Sequence, residues 1–201
     1  MSNGTSYALR DGYSLRALAE SDAAELHMLI ERNRARLARW IHWARGQTYQ
    51  DTLAFIGRAR ALEQDDRGHS RAIVAADGTL AGVVGITVDR ANRSAAIGYW
   101  LDAAREGRGV VTASVAAVAD EGFDRFTLTR IEIRADVENR QSCAVAERLG
   151  FQLEGVARQA YRVGEGRYSD DAVYSLLASD PARNALRAWQ LDGDAGGTPQ
   201  R

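Results

Sequence analysis

The sequence predicts an α+β fold in which one mixed β-sheet is flanked by helices. Three observations carry this expectation. Apolar spacing changes period along the chain, from helical near the N-terminus to strand-like between Arg71 and Leu101, and then alternates between the two. Short turns join the middle runs, with Asp77-Gly78 a strong hairpin signal. Two helical segments then separate later strands, giving the order β-α-α-β-β-β-α-β-α-β-β. Hairpins and crossover helices together imply neither a pure doubly wound sheet nor a sandwich.

Leu15–Leu18 reads as the first strand. Ser21-Asp22 supplies N-cap chemistry for a helix with Leu26, Leu29 and Ile30 on one face. Asn33–Thr48 has no readable period but carries Trp40, His42 and Trp43 among arginines, and Asp51-Thr52 opens a second helix. Arg71–Ala76, Leu80–Val88 and Ser94–Leu101 form a three-stranded meander. Arg105–Gly109 turns into a helix carrying Val111, Val115 and Val118, whose spacing buries one side against a sheet. Leu128–Ala135 alternates Ile131 and Ile133 with charges, as a half-buried strand does. Asn139 caps a helix that ends at Gly150. Phe151–Val163 and Arg167–Leu177 are the last strand pair, and Asp180-Pro181 starts a C-terminal helix. The expected organisation is a flexible segment over 1–12, one domain over 13–178, the C-terminal helix over 179–191 and a disordered tail over 192–201.

The 201 residues are enough for one continuous core. No apolar run approaches the ~20 residues of a membrane span, the first residues lack secretory-signal blocks, and a single cysteine permits no internal disulfide, so a cytoplasmic location is expected. A net charge of −1 shows no basic excess for nucleic acid. His27, His42 and His69 lack metal-ligand spacing, so no metal site is expected. All 26 basic residues are arginine; coding bias is the ordinary explanation, and loss of self-acetylation targets the alternative.

The chemistry concentrates first at Arg105-Glu106-Gly107-Arg108-Gly109-Val110-Val111-Thr112. Two glycines at a strand-to-helix junction permit close backbone approach to an anion, which exposed N–H groups and the helix dipole favour. Arg105 and Arg108 could add charge-assisted bonds. A Walker loop needs a lysine, and a dinucleotide fingerprint needs glycine where Thr112 stands. A tight turn with no ligand remains open on the glycines alone.

Downstream, Asp136-Val137-Glu138-Asn139-Arg140-Gln141-Ser142-Cys143 is followed by Glu147-Arg148-Leu149-Gly150-Phe151-Gln152-Leu153-Glu154-Gly155. This stretch resembles the N-x-x-S…G-F-x-x-E-G signature of GNAT-superfamily acetyltransferases, in particular their RimJ/RimL-type branch. Leu15-Arg16-Ala17-Leu18 and the Trp40-to-Trp43 spacing resemble that branch as well, so the similarity runs from about Leu15 to Leu177. The upstream turn is similar to the family's pyrophosphate loop, [QR]-x-x-G-x-[GA], but matches at Gly109 only. Glu106 replaces the Gln or Arg and must point away from an anion, and Val111 replaces the small residue.

The resemblance implies a three-layer mixed sheet, splayed between strands 4 and 5, with acetyl-CoA as co-substrate in the opening. Pantetheine would follow the backbone over Tyr99, Trp100 and Leu101. Pyrophosphate would sit on Gly107, Arg108, Gly109, Val110, Val111 and Thr112. Asn139 and Ser142 would face the pantetheine arm and the sulfur, although helix capping is an equally ordinary role for Asn139. A backbone N–H near Tyr99–Leu101 is the natural oxyanion donor.

The base is the gap. Ser94–Leu101 holds no carboxylate, where many relatives have a Glu. Some RimJ/RimL-type enzymes use a Glu after a Q-A pair; here Gln159-Ala160 is followed by Tyr161, the catalytic candidate at that position, although a phenol near pKa ~10 is a poor base at pH 7 and packing is the ordinary role of an aromatic in a strand. Asp170, Asp171 and Glu165 are the reserve bases. An α-amine, titrating at about 7.7–8.0, needs less help than a lysine at about 10.4. The expected acceptor is therefore a peptide or protein N-terminus. A small amine and a CoA-binding module without turnover are the rivals, with a nucleotide-binding regulator the outsider. Trp40, Trp43 and Tyr49 could shape the acceptor mouth. Among assemblies, a homodimer is open.

Overall fold

The computed structural model describes residues 7–164 and 166–191. The predicted tail over 192–201 lies outside them. Among the described residues one eight-stranded sheet forms, in the order β1-β2-β3-β4-β5-β6-β8-β7. Its strands are β1 (Tyr7–Ala8), β2 (Ser14–Ala17), β3 (Gly68–Val74), β4 (Leu80–Asp89), β5 (Ser94–Leu101), β6 (Arg130–Asp136), β7 (Gln152–Gly164) and β8 (Arg167–Leu177). The helices are α1 (Ala23–Leu37), α2 (Tyr49–Gln64), α3 (Val110–Phe126), α4 (Arg140–Arg148) and α5 (Leu186–Leu191). None is long and apolar enough to cross a membrane.

The α+β expectation is met, with one strand more than the sequence reading had. Tyr7–Ala8, expected within a flexible segment, pairs with Ser14–Leu15 of β2. Two residues are too short for any period to register. The predicted fourth and fifth strands are consequently β5 and β6.

Strands β1 to β5 are antiparallel neighbours. Strand β5 then meets β6 in parallel over three pairs only, Ser94↔Arg130, Ala95↔Ile131 and Ala96↔Glu132. Beyond Ala96 no ladder joins them, so the C-terminal half of β5 keeps an open edge. That is the splay that the sequence reading placed between the same two segments.

Alternation along each strand assigns the two faces of the sheet. Ala95, Ile97 and Leu101 of β5 join Ile131, Ile133, Ala135, Tyr174 and Leu176 in the main core, under α3 and α4. Trp100 faces the other way and packs with Leu26, Leu29 and Ile30 of α1 and Ile56 of α2. Small residues let α3 approach closely: a Cβ added at Gly122 would lie 2.7 Å from Ile86 Cδ1. The C-terminal helix docks on α3, with Leu186 fully buried and Arg183 and Arg187 paired to Asp120.

Candidate active site

The glycine turn owes its shape to backbone demands. Gly107 and Gly109 have φ of +76° and +71°, the left-handed region that L side chains avoid. A Cβ on Gly107 would touch nothing within 4 Å, so conformation, not space, requires glycine there. Gly109 is the N-cap of α3, and no side chain caps that helix. The N–H groups of its first turn, at Val110, Val111 and Thr112, therefore face outward without an internal partner, at the positive end of a 17-residue helix.

Both departures of this turn from its motif have a structural answer. Glu106, expected to turn away, instead lines the cleft, where Arg36 of α1 holds it with Nη1 2.5 Å from Oε1. The same guanidinium donates to the Leu101 carbonyl. The carboxylate charge is thereby offset in place. Val111 packs against the main core and leaves its amide unaffected. Of the two arginines expected near phosphate, Arg105 is engaged by Asp77 at 3.0 Å, on the hairpin between β3 and β4. Arg108 has no carboxylate partner among the described residues.

Helix α1 anchors the turn more widely. Buried Asp102, the residue after β5, accepts from Arg32 at 2.7 Å and Asn33 at 2.8 Å. Burial pushes its carboxyl up, but these donors outweigh it and hold the pKa below the usual range. Asn33 Oδ1 accepts from Ala103 N at 3.0 Å. Three consecutive positions of the strand-to-turn junction are thus tied to one helix.

Across the splay, Tyr99 of β5 reaches α4. Its hydroxyl lies 2.9 Å from Ser142 Oγ and 3.2 Å from the Ser142 carbonyl. Burial pushes the phenol up to about 12, against the lowering effect of Ser142, so Tyr99 stays a proton donor at neutral pH. Asn139 Oδ1 accepts from Ser142 N at 3.3 Å, the expected cap, while its side-chain amide nitrogen donates to no protein group among the described residues. All these groups line one cleft of about 1370 Å³: Asn139, Ser142, Tyr161, Tyr99 to Leu101 and Gly107 to Thr112. A splayed parallel pair, an uncapped helix with a glycine turn and a Tyr–Ser bridge thus meet in this one cleft. Residues 14–152 match the family model described as "Acetyltransferase (GNAT) domain".

The chain is a GNAT-family N-acetyltransferase of RimJ/RimL type. It is 36% identical to YdaF of Bacillus subtilis (strain 168) over 169 residues, covering 82% of this chain and 90% of that one. It superposes on RimL, the ribosomal L7/L12 alpha-N-protein acetyltransferase bound to coenzyme A, with a TM-score of 0.81 at 29% identity, covering 86% and 98% of the two chains. The self-immunity acetyltransferase MccE, in complex with acetyl-CoA and AMP, matches with a TM-score of 0.78 at 32% identity, covering 84% and 93%. The rival of a module without turnover gives way to this membership.

In this GNAT enzyme the two faces of the sheet divide the cleft. Tyr99 and Ser142 lie on the α3/α4 side. The opposite face presents a row of small residues, Ser70↔Gly85↔Gly98, across three strands. Trp40 and Trp43 line the cleft here, and Trp43 meets Trp100 edge-on at 6.5 Å. Tyr49 does not share that role. It packs edge-on against His27, outside the cleft lining.

Tyr161 stands on the rim, 44% exposed, and its hydroxyl makes no hydrogen bond among the described residues. It follows a bulge that sequence periodicity does not reveal. Ala157 pairs with Asp171 and Tyr161 with Ser169, so four positions on β7 span two on β8. Gln159 adopts φ +50° within the bulge, and its N–H donates to Asp170 Oδ1 at 2.7 Å. Asp170, which accepts that N–H, lies outside the cleft lining, Asp171 lines the cleft, and Glu165 lies outside the described residues.

Proposed function

We propose that this enzyme transfers the acetyl group of acetyl-CoA to the α-amine of a peptide or protein N-terminus. The observation that carries this is the acceptor side of the cleft. It is floored by Ser70, Gly85 and Gly98, small residues that leave room for an extended backbone, and rimmed by Trp43, Tyr161, Arg58 and Arg134, two of them cations that a small polycation would meet unfavourably. RimL, an alpha-N-protein acetyltransferase by name, supports the same class of acceptor. The lone, buried Cys143 suits a reducing compartment such as the cytoplasm.

In this reading the amides of Gly109 to Thr112 bind the pyrophosphate, with Arg108 adding charge. Pantetheine runs along the open edge of β5 at Tyr99, Trp100 and Leu101, and one N–H of that edge stabilises the oxyanion. Ser142, oriented by Asn139 and Tyr99, donates to the sulfur as the C–S bond breaks. Tyr161 packs against the incoming peptide. A second reading, a small amine joined to a nucleotide, draws on the AMP in the MccE structure.

CoA release measured over N-terminally free peptides, their N-blocked counterparts and small amines separates the two. Free peptides should exceed small amines by at least ~10-fold in kcat/KM, with blocked peptides silent. Equal or better turnover of a nucleotide-linked amine would transfer the assignment to the second reading.

A further inference from the structure

The base absent from β5 has a replacement on β8. We infer that Asp171 is the catalytic base that takes the proton from the attacking amine; this rests on the acyl-transfer reading above. The two-faced cleft sets the requirement. The sulfur's donor, Ser142, lies on the α3/α4 side, so an amine attacking from the opposite side needs its base on the opposite face. Strand alternation puts Asp171 there: Ala172, Tyr174 and Leu176 enter the core, while Ser169 and Asp171 look the other way. Asp171 also sits directly across from Asp136 of β6, whose carbonyl accepts the Asn139 N–H at 2.8 Å. The carboxylate is therefore one strand away from the turn that carries Asn139 and Ser142.

The other carboxylates of the cleft are engaged. Glu106 pairs with Arg36, and Asp11 lies 3.5 Å from Arg10. Asp136 is buried, accepts the Glu138 N–H at 2.9 Å and lies 3.6 Å from Arg167. Asp171 alone has no cation partner among the described residues. Buried Ser169 donates to its Oδ1 at 2.5 Å and fixes its orientation, while Oδ2 has no protein donor among the described residues. An oriented carboxylate with one open lone pair on the acceptor face is what the step requires.

The amine nitrogen forms a bond to the thioester carbonyl carbon, whose π electrons move to oxygen. Asp171 Oδ2 takes one proton from the nitrogen, which is far more acidic in this adduct than in the free ammonium. Collapse re-forms the carbonyl and breaks the C–S bond, with the electron pair leaving on the thiolate under the Ser142 hydroxyl. Solvent then carries the proton from Asp171 to the thiolate, giving amide and free CoA.

The test is kcat at saturating acceptor for the wild type, D171N and D171E, using the peptides and small amines of the acceptor screen. D171N is expected to lose about 10²–10⁴-fold in kcat, with KM for acetyl-CoA within about threefold, while D171E recovers part of the rate. D171A supplies a second readout, because added formate should restore turnover to a vacated carboxylate site. A D171N enzyme within threefold of wild type, or a D171A enzyme that formate does not rescue, overturns the assignment and leaves the transferase reading intact. Wild-type protein that turns over none of the amines overturns both.

Discussion

At the scale of residues, the roles proposed for Asn139 and Ser142 divide capping from chemistry. Asn139 holds the first turn of α4 through the Ser142 N–H. Asn139→Ala should cost about 1 kcal/mol of stability as well as rate, as lost caps do. Ser142→Ala removes no cap and should lower kcat by at least ~10-fold with the melting temperature nearly unchanged. Thermal melts alongside steady-state kinetics distinguish these outcomes; equal activity in both variants would leave the two residues as helix furniture. Tyr99→Phe should lower kcat in the wild type and have no further effect in the Ser142→Ala background, since the phenol acts through that hydroxyl. The glycine turn and the Asn139 cap were legible in the sequence because each is a local motif. The distant side chains that meet them were not. Tyr99 meets Ser142 across 43 positions and Arg36 meets Glu106 across 70, and no short pattern encodes such distances.

At the scale of elements, the site exists because β5 and β6 part after Ala96 and α1 grips the end of β5. Hairpin turns and helix periods announced the order of strands, and the splay was expected in the right place from family resemblance. Tyr7–Ala8 and the β7 bulge escaped, the first for its length and the second because Arg158 to Ala160 break alternation without a glycine at the left-handed position. The grip of α1 leads to a separate expectation. Asn33 is buried and bonds both Asp102 and the Ala103 N–H. Asn33→Ala strands those groups and should cost roughly 1–3 kcal/mol, while raising KM for acetyl-CoA through a loosened turn. A lowered melting temperature with KM unchanged would show that α1 supports the fold without setting the phosphate loop.

At the scale of the whole molecule, charges buried between the sheet and α3 set the acid limit of stability. Glu121 lies 2.8 Å from fully buried His69, beside Arg71, which Glu63 pairs from α2. Burial raises the Glu121 carboxyl, but His69 and Arg71 outweigh it and bring the pKa down to about 2 from an ordinary 4.5. A depressed carboxylate stabilises the fold above its unfolded pKa and loses that contribution as pH falls through the folded one. Melting temperatures should therefore decline between about pH 4.5 and 2. Glu121→Gln should melt lower at neutral pH and decline less over that window; an unchanged slope would remove Glu121 from the account.

The proposed division of the cleft, with the carrier on the α3/α4 side and the acceptor on the opposite face, turns on which amine the enzyme accepts. One measurement addresses it directly: tandem mass spectrometry of a peptide that carries both a free α-amine and an internal lysine, after incubation with acetyl-CoA and the enzyme. Acetylation of the α-nitrogen, with the lysine left free, is expected. Acetylation confined to the lysine, or none on any peptide while a small amine is consumed, would contradict it.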